Sequence, residues 1–160
     1  MPLMNATLRP ADGEDASAVA NVLISSRLAY MPFAPSAHSP EEVLAWVGTH
    51  LIPDCETTVA TIEDEIVGVL AVSQRSDAAW INQLFVLPGW VGRGIGSQLL
   101  RHAHAKLPRP IRLYTFQAHS RARRFYERHG YKAIGFTDGQ ANEERCPDVL
   151  YELSAGASEA

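Results

Sequence analysis

Three glycines at alternate positions, within the segment LFVLPGWVGRGIGSQLL (Leu84–Leu100), favour a loop that binds an anion through its backbone. The segment begins as an apolar, strand-like run, breaks at Pro88-Gly89 and continues as a helical pattern. The first four amides of a helix have no partner within it, and the helix dipole favours negative charge there. Glycines let an anion approach closely, and Arg93 adds a positive charge. These features predict pyrophosphate binding at a helix N-terminus.

Two better-known phosphate motifs fit this segment poorly. Gly89 and Gly94 have the spacing of the loop GxxxxGK[ST], but Ile95 stands where that loop needs its lysine. The dinucleotide motif GxGxxG, counted from Gly92, meets Ser97 at its third glycine, and the acidic residue expected about twenty positions later is absent. A loop whose glycines only satisfy turn dihedral angles stays open as an alternative.

Length and charge narrow the class of protein. With 160 residues, one domain is expected over 1–153, followed by a flexible tail over 154–160. A formal net charge of -4 argues against nucleic acid or a membrane surface as the main partner. Cys55 and Cys146 form no CxxC pattern and are expected to be reduced thiols of a cytoplasmic protein. The first residues lack the basic start and apolar run of a secretion signal.

The hydrophobic pattern predicts eleven elements in the order β-α-α-β-β-β-α-β-α-β-β. Strands alternate with helices only in the second half of the chain, which indicates a mixed sheet with helices on both faces. The predicted helices cover about Ala16–Tyr30, Pro40–Pro53, Gly92–Lys106 and His119–Gly130, and the strands cover ATLRPA, TTVATI, IVGVLAVSQ, AAWINQLFVL, IRLYTFQA, YKAIGFT and DVLYEL.

A second motif lies about thirty residues after the first, with a strand between them. The stretch AHSRARRFYERHGYKAIGF, together with VLPGWVGRGIGSQLL, resembles the GCN5-related N-acetyltransferase (GNAT) family. That family's pyrophosphate loop, Q/R-x-x-G-x-G/A, is matched by Val91–Gly96, called here the glycine loop. Its signature N-x-x-A-x-x-F-Y-E-x-x-G-F/Y is matched by His119–Tyr131. The chain departs from the family pattern at Val91, where Gln or Arg is usual, and at His119, where Asn is usual.

The resemblance implies an α/β (α+β) fold: a mixed, mostly antiparallel sheet of about seven strands with helices on both faces. Two parallel strands splay apart at the acetyl-CoA site, where unpaired backbone groups meet the pantetheine arm. It also implies acetyl-CoA as co-substrate. The implied cofactor-binding residues are Leu84, Phe85, Val86, Val91, Gly92, Arg93, Gly94, Ile95, Gly96, Ser97 and His119.

The implied reaction is attack of a neutral amine on the thioester carbonyl. The developing oxyanion needs a donor, and a backbone amide near Phe85 or Val86 suits that role. The departing thiolate needs a proton, for which Tyr126 is the candidate catalytic residue because its ordinary pKa is of the order of a thiol's. Tyr126 shares a helix face with Ala122 and Phe125, so it should point into the fold. The alternative is that Tyr126 is only a packed aromatic residue.

The sequence does not identify a base for the amine. The strand Ala78–Leu87 has neither carboxylate nor histidine, and Asn82 and Gln83 cannot accept a proton near neutral pH. Glu143 and Glu144, in a late loop, are candidates, and a water chain or an amine that enters deprotonated are the alternatives. This family often contacts acceptors through the proline-rich loop between the first two helices, which contains Phe33 and is bordered by Tyr30. The predicted substrate-binding residues are therefore Tyr30, Phe33, Asn82, Glu143 and Glu144.

Four arginines on the last helix form a basic face. It is interpreted either as solvated surface or as attraction for the cofactor's 3′-phosphate; the residues are Arg121, Arg123, Arg124 and Arg128. His102 and His104 lie two apart on a helix and therefore face different directions, which argues against a metal site.

The sequence thus predicts a cytoplasmic N-acetyltransferase acting on a small-molecule or peptide amine. Antibiotic or toxin modification would be the same chemistry on a particular acceptor. The rival prediction is an acyl-CoA-binding sensor without turnover. TDGQANEERCPDVLYE resembles the C-terminal end of a bacterial branch of the family, and the last strand could pair across subunits in a homodimer.

Overall fold

The structure, a computed structural model, describes residues 5–156 and contains a seven-stranded sheet. Of the tail predicted over 154–160, residues 157–160 lie outside the described range. The strands are β1 (Thr7–Pro10), β2 (Glu56–Ile62), β3 (Glu65–Gln74), β4 (Ala79–Val86), β5 (Ile111–Phe116), β6 (Lys132–Phe136) and β7 (Asp148–Leu153). The helices are α1 (Ala16–Tyr30), α2 (Pro40–Trp46), α3 (Ile52–Asp54), α4 (Ile95–Lys106) and α5 (Ser120–Arg128).

The sheet is antiparallel except at its centre. Its strand order is β1-β2-β3-β4-β5-β7-β6, and β4 and β5 form its parallel pair. This pair holds only at Ala79↔Ile111 and Trp80↔Arg112, after which the two strands separate. Beyond that point β4 stays paired with β3 while β5 stays paired with β7. The mixed seven-stranded sheet with a splayed parallel pair is therefore confirmed, and it opens a gap toward the carboxyl ends of β4 and β5.

Helices cover both faces of this gap. Val19, Val22 and Leu23 of α1 join a cluster that includes β3, while Leu99 and Leu100 of α4 join a second cluster on the other face. The contact of α4 with β3 is close at Gly68, where an added Cβ would lie 3.0 Å from Leu99 Cδ1. The two clusters hold the helices that border the gap, so the position of each helix follows from its apolar stripe.

The helix starts illustrate what local sequence determines. Asp12 caps a 3₁₀ turn (Gly13–Asp15) that leads into α1, and Ser39 forms a capping box with Glu42 at the start of α2. The second predicted helix is continuous to Asp54 but contains a π-helical turn over Val47–Leu51, which the sequence pattern does not reveal.

One predicted helix boundary is wrong. The helix expected to start at Gly92 begins at Ile95, because Gly92 and Gly94 have φ angles of +82° and +87°, in the left-handed region. The glycine loop is thus a separate turn that leads into α4, and Gly94 is the residue that caps the helix.

Candidate active site

A cavity of about 990 Å³ occupies the gap between β4 and β5. It is lined from both faces of the sheet, by α1 on one side and by α4 and α5 on the other. Thirteen of the predicted site residues line it: Tyr30, Asn82, Leu84, Phe85, Val86, Val91, Gly92, Gly94, Gly96, Ser97, His119, Tyr126 and Glu144. Four do not, namely Phe33, Arg93, Ile95 and Glu143.

The register of β4 determines which of its backbone groups face the gap. The amide of Leu87 donates to the carbonyl of Val67 at 2.8 Å, so Phe85 forms the next hydrogen-bonded pair, with Val69. Leu84 and Val86 therefore direct their backbone groups away from β3, toward the gap. Phe85 was expected to offer free backbone groups together with Leu84 and Val86. This expectation is wrong for Phe85, whose backbone is used by β3.

The glycine loop and the start of α4 present unpaired amides. Gln98 makes the first bond of the helix, to the carbonyl of Gly94 at 3.0 Å. Within the described part of the chain, the amides of Gly94, Ile95, Gly96 and Ser97 donate no hydrogen bond. Four successive orphan donors at the positive end of a helix dipole form a site suited to a phosphate group.

The side chains around this loop are less available than its backbone. Arg93 stacks on Trp90, with its guanidinium carbon 4.9 Å from the ring centroid, and its buried Nε has no partner among the described residues. Ile95 is only 1% exposed and belongs to the core. The Ser97 hydroxyl lies 3.0 Å from His129 Nε2. The side chains of Arg93 and Ile95 thus turn away from the cavity, so any contact they make with a ligand there is through the backbone.

His119 is held as the cap of α5. Its Nδ1 accepts a hydrogen bond from the amide of Ala122 at 3.4 Å, and its ring meets Phe33 edge-on. Burial, and secondarily the charge of Arg121, lower the pKa of His119 below its ordinary value. A neutral ring that accepts at Nδ1 carries its proton on Nε2, so it can offer one donor to the cavity that it lines.

Tyr126 points into the fold, as its helical position predicts. Its side chain is 8% exposed and packs against Phe125 and Tyr131 in edge-on contacts. Burial raises the pKa of its hydroxyl well above the ordinary value, so the group stays protonated at neutral pH. The expected match between its pKa and that of a thiol is therefore not found, and the hydroxyl is the weaker acid. No described residue hydrogen-bonds to that hydroxyl, which leaves its proton available to a ligand.

The α1 side of the cavity contains acidic groups from the segment between β6 and β7 (residues 137–147, called here the β6–β7 loop) and from the start of β7. Glu144 Oε2 lies 2.8 Å from Arg27 Nη2, and both residues line the cavity. Asp148 also lines it, but its two oxygens accept from Thr137 Oγ1 and from Asn142 Nδ2. On β4, the Asn82 amide donates to Ser73 Oγ at 2.9 Å.

Two predicted substrate residues lie outside the cavity. Glu143 points to the surface, where it meets His38 Nε2 at 2.9 Å. The hydrogen bond to Glu143 raises the pKa of His38 above its ordinary value. Phe33 packs edge-on against Phe116 and His119. These two residues line the cavity and Phe33 does not, so Phe33 supports the lining from outside. Neither position could be assigned from loop sequence alone.

Sequence reasoning missed some lining residues. Arg27 lies in the last turn of α1, and no local signal distinguishes it from its neighbours. Arg121, Arg124 and Arg128 were interpreted either as solvated surface or as attraction for the cofactor's 3′-phosphate and were left out of the predicted site, yet all three line the cavity. Their spacing of three and four residues, which puts them on one helix face, was the available signal.

Across residues 5–156, no group of three or more histidine, cysteine, aspartate or glutamate side chains has a geometry that could hold a metal ion. Over the same part of the chain, no helix is both long enough and apolar enough to cross a membrane.

The sequence of this chain matches a family model described as an acetyltransferase (GNAT) domain, over residues 53–133. That match spans half of the chain and includes β4, the glycine loop, α4, β5 and α5. The chain belongs to the GNAT acetyltransferase family. The resemblance inferred from the two sequence motifs is therefore confirmed. A comparison with curated proteins finds no match.

Solved structures of GNAT and other acetyltransferases share the fold. The apo form of YjaB from Escherichia coli superposes with a TM-score of 0.75 at 23% identity, covering 95% of this chain and 100% of that one. PaiA N-acetyltransferase from Thermoplasma acidophilum, solved with coenzyme A, gives 0.74 at 18% identity over 95% and 100%. An acetyltransferase from Thermus thermophilus gives 0.74 at 19% identity over 97% and 100%. At these identities the likeness concerns the fold alone.

Proposed function

We propose that this GNAT protein transfers an acetyl group from acetyl-CoA to the primary amine of a small molecule or peptide. The observation that carries the proposal is the cavity between the separated strands β4 and β5, which has unpaired helix amides at one side and the Tyr126 hydroxyl inside it. One cavity thus combines groups for holding a pyrophosphate with a proton donor.

The residues present fit a coenzyme A thioester. The amides of Gly94 to Ser97 would hold the pyrophosphate. The backbone groups of Leu84, which face away from β3, would pair with the amide groups of the pantetheine arm. His119 Nε2 offers a further donor at the start of α5. The PaiA structure, which contains coenzyme A, has the same fold and supports this choice of donor.

The transfer forms a bond from the amine nitrogen to the acetyl carbon and breaks the bond from that carbon to sulfur. Val86 is the residue whose amide faces the gap, so it is the better candidate for oxyanion stabilisation than Phe85. The Ser26 hydroxyl donates to the Val86 carbonyl at 2.9 Å and fixes this part of the strand. Tyr126 gives its proton to the departing thiolate, the nitrogen loses one proton to solvent or to a neighbouring base, and Tyr126 regains a proton from solvent.

The basic face of α5 complements the donor. Arg121, Arg124 and Arg128 form no ion pair with a carboxylate of the described chain, although the protein has a net charge of -4. Three guanidinium groups without counter-ions beside a cavity attract an anionic ligand such as coenzyme A.

The proposal is tested by thiol release from acetyl-CoA with a panel of amines. Amine-dependent release, with the acetylated product identified by mass, is the expected result. Tight coenzyme A binding with no release on any amine would favour the sensor instead. Absence of coenzyme A binding in calorimetry would contradict both functions.

A further inference from the structure

An ion pair between two distant elements lines the α1 side of the cavity. Arg27 of α1 and Glu144 of the β6–β7 loop approach to 2.8 Å, and their side chains are 22% and 16% exposed. Arg27 also donates to the carbonyl of Ala34 at 3.1 Å through the same nitrogen, Nη2. The pair therefore has a fixed position, set by α1 on one side and by the loop on the other.

Each member of the pair keeps unused hydrogen-bonding groups. Both contacts of Arg27 use Nη2, and its buried Nε has no partner within residues 5–156. Neither Nη1 of Arg27 nor Oε1 of Glu144 is bonded to a described residue. A guanidinium has five donors and a carboxylate has two acceptor oxygens, so this pair is only partly satisfied. Nη1 of Arg27 and Oε1 of Glu144, unlike the buried Nε, are therefore available to a ligand that carries both signs of charge.

The remaining charged groups of the cavity are engaged elsewhere or lie on α5. The oxygens of Asp148 accept from Thr137 and Asn142. His119 has a lowered pKa and caps α5. The arginines that line the cavity from α5 belong to the face proposed above to attract the donor. Arg27 and Glu144 are therefore the charged residues left for the acceptor among the described lining.

Charge balance then selects the class of acceptor. The Arg27–Glu144 pair is electrically neutral, so a simple monoamine would add an uncompensated positive charge to a partly buried site. A zwitterion adds no net charge and satisfies both unused groups. Because the two protein charges are in direct contact, the two ligand charges must also lie close together, as in an α-amino acid.

We propose that the acceptor is a small α-amino acid, whose carboxylate binds Arg27 and whose amino group is oriented by Glu144. This inference rests on the proposed acetyltransferase function and specifies its acceptor. Arg27 is then a specificity-determining residue, and Glu144 a group that positions the nitrogen for attack. The β6–β7 loop supplies the acidic group that β4 lacks.

The test compares matched acceptors on the full-length protein. The standard amino acids are assayed with acetyl-CoA, and each active one is compared with its amide and with its decarboxylated amine. The acid is expected to exceed both analogues in kcat/KM by about tenfold or more, since a charge-assisted contact is lost in each analogue. Equal kcat/KM for the acid and its amide would overturn the inference.

Two variants separate recognition from structural support of the loop. Arg27→Gln should lower kcat/KM for the acid about tenfold to a hundredfold and change that for the amide by less than about threefold. Glu144→Gln should lower kcat/KM for the acid and for the amide alike, because both substrates keep the amino group. Arg145→Gln, on the exposed side of the same loop, and Glu65→Gln, at the exposed start of β3, are the controls. An equal loss on acid and amide in Arg27→Gln would indicate a merely structural pair.

The outcomes also distinguish this inference from the proposed function. If no amine of any kind releases thiol, the acetyltransferase proposal itself fails. If monoamines or peptide N-termini are acetylated as well as amino acids, acetyl transfer stands and only the zwitterionic acceptor is refuted. Thermal unfolding of each variant shows whether a loss on both substrates comes from a damaged fold.

Discussion

The imidazole of His119 caps α5 by accepting a hydrogen bond at Nδ1 from the amide of Ala122, 3.4 Å away. Asparagine, usual in the family at this position, is itself a favoured N-cap residue, so histidine keeps the capping role with a different side chain. The donor that it leaves for the cavity is Nε2–H. The departure from the family pattern at this position therefore changes the geometry of one contact without removing the cap.

The cap makes stability depend on pH. Because burial lowers the pKa of His119 in the folded protein, folding favours the neutral ring. The stabilisation is present above the ordinary pKa of about 6.5, and it is lost as the pH falls below that value toward the folded-state pKa. His119→Asn should remove this part of the acid destabilisation while keeping the cap, whereas His119→Ala should cost about 1 kcal/mol at pH 8.

Urea unfolding of the three proteins between pH 5 and pH 8 measures both effects. His104→Asn is unsuitable as a control because His104 bonds to Tyr131. The control is instead His50→Asn, at an exposed position of the π-helical turn Val47–Leu51. An unchanged pH dependence in His119→Asn would mean that another group titrates.

The Tyr126 hydroxyl is expected to matter for turnover and not for folding. It has no hydrogen-bond partner among the described residues, so Tyr126→Phe should leave the free energy of unfolding within about 0.5 kcal/mol. The loss of a proton donor should lower kcat about a hundredfold. Tyr131→Phe gives the opposite pattern, since its hydroxyl bonds to His104 at 2.9 Å and does not line the cavity.

Because burial raises the pKa of Tyr126, the donor stays protonated across the assay range. Below about pH 10, the wild-type rate should therefore not fall through titration of Tyr126. The pH profile over this range should have the same shape in the wild type and in Tyr126→Phe. An alkaline decline, if it depended on Tyr126, would show that the hydroxyl titrates near its ordinary value and would contradict its burial.

The left-handed conformation of Gly94 is expected to be necessary for cofactor binding. Its φ of +87° costs an L-residue with a Cβ about 1–2 kcal/mol, and relaxing that strain would move the amides that begin α4. Gly94→Ala should weaken coenzyme A binding about tenfold in calorimetry. Gly89→Ala is the matched control, because an added Cβ there has open space and φ is not positive. Equal affinity in both variants would mean that the pyrophosphate does not use these amides.

How much of this site the sequence predicts depends on how far apart the interacting residues lie along the chain. The glycine loop and Tyr126 could be predicted as site residues because their motifs are local, and the helix period alone puts Tyr126 inside. The role of Phe85 was misassigned because strand register is set by pairing with β3, which one strand does not specify. Arg27 and Glu144 are 117 residues apart, and no local pattern brings them together.

The β6–β7 loop shows why such contacts need the folded backbone. Gly139 has a φ of +83°, and an added Cβ would lie 2.3 Å from the carbonyl carbon of Cys146. Asn142 bonds both to the backbone of Cys146 and to Asp148. These contacts fold the loop back on itself and turn Glu144 inward while Glu143 faces His38. Acidic loop residues are usually solvated, so composition could not separate these two neighbours.

The basic face of α5 is expected to recognise the anionic end of the donor. Arg124 and Arg128 line the cavity, are exposed and form no ion pair within the described residues. Replacing both with glutamine should raise KM for acetyl-CoA about tenfold, with little change in kcat, because ground-state attraction is lost. The salt dependence of kcat/KM should weaken in the same variant, since exposed charges are screened by ions.

Comparing acetyl-CoA with its 3′-dephospho form shows whether the arginines bind the 3′-phosphate or the pyrophosphate. If the arginines bind the 3′-phosphate, KM for the dephospho donor is already raised in the wild type. The double variant then raises that KM little further. If they act on the pyrophosphate, the variant weakens both donors equally. Arg101→Gln, an exposed arginine on α4 away from the cavity, controls for net charge. An unchanged KM in Arg124→Gln/Arg128→Gln would identify this face as solvated surface, since attraction that leaves no trace in KM cannot contribute to binding.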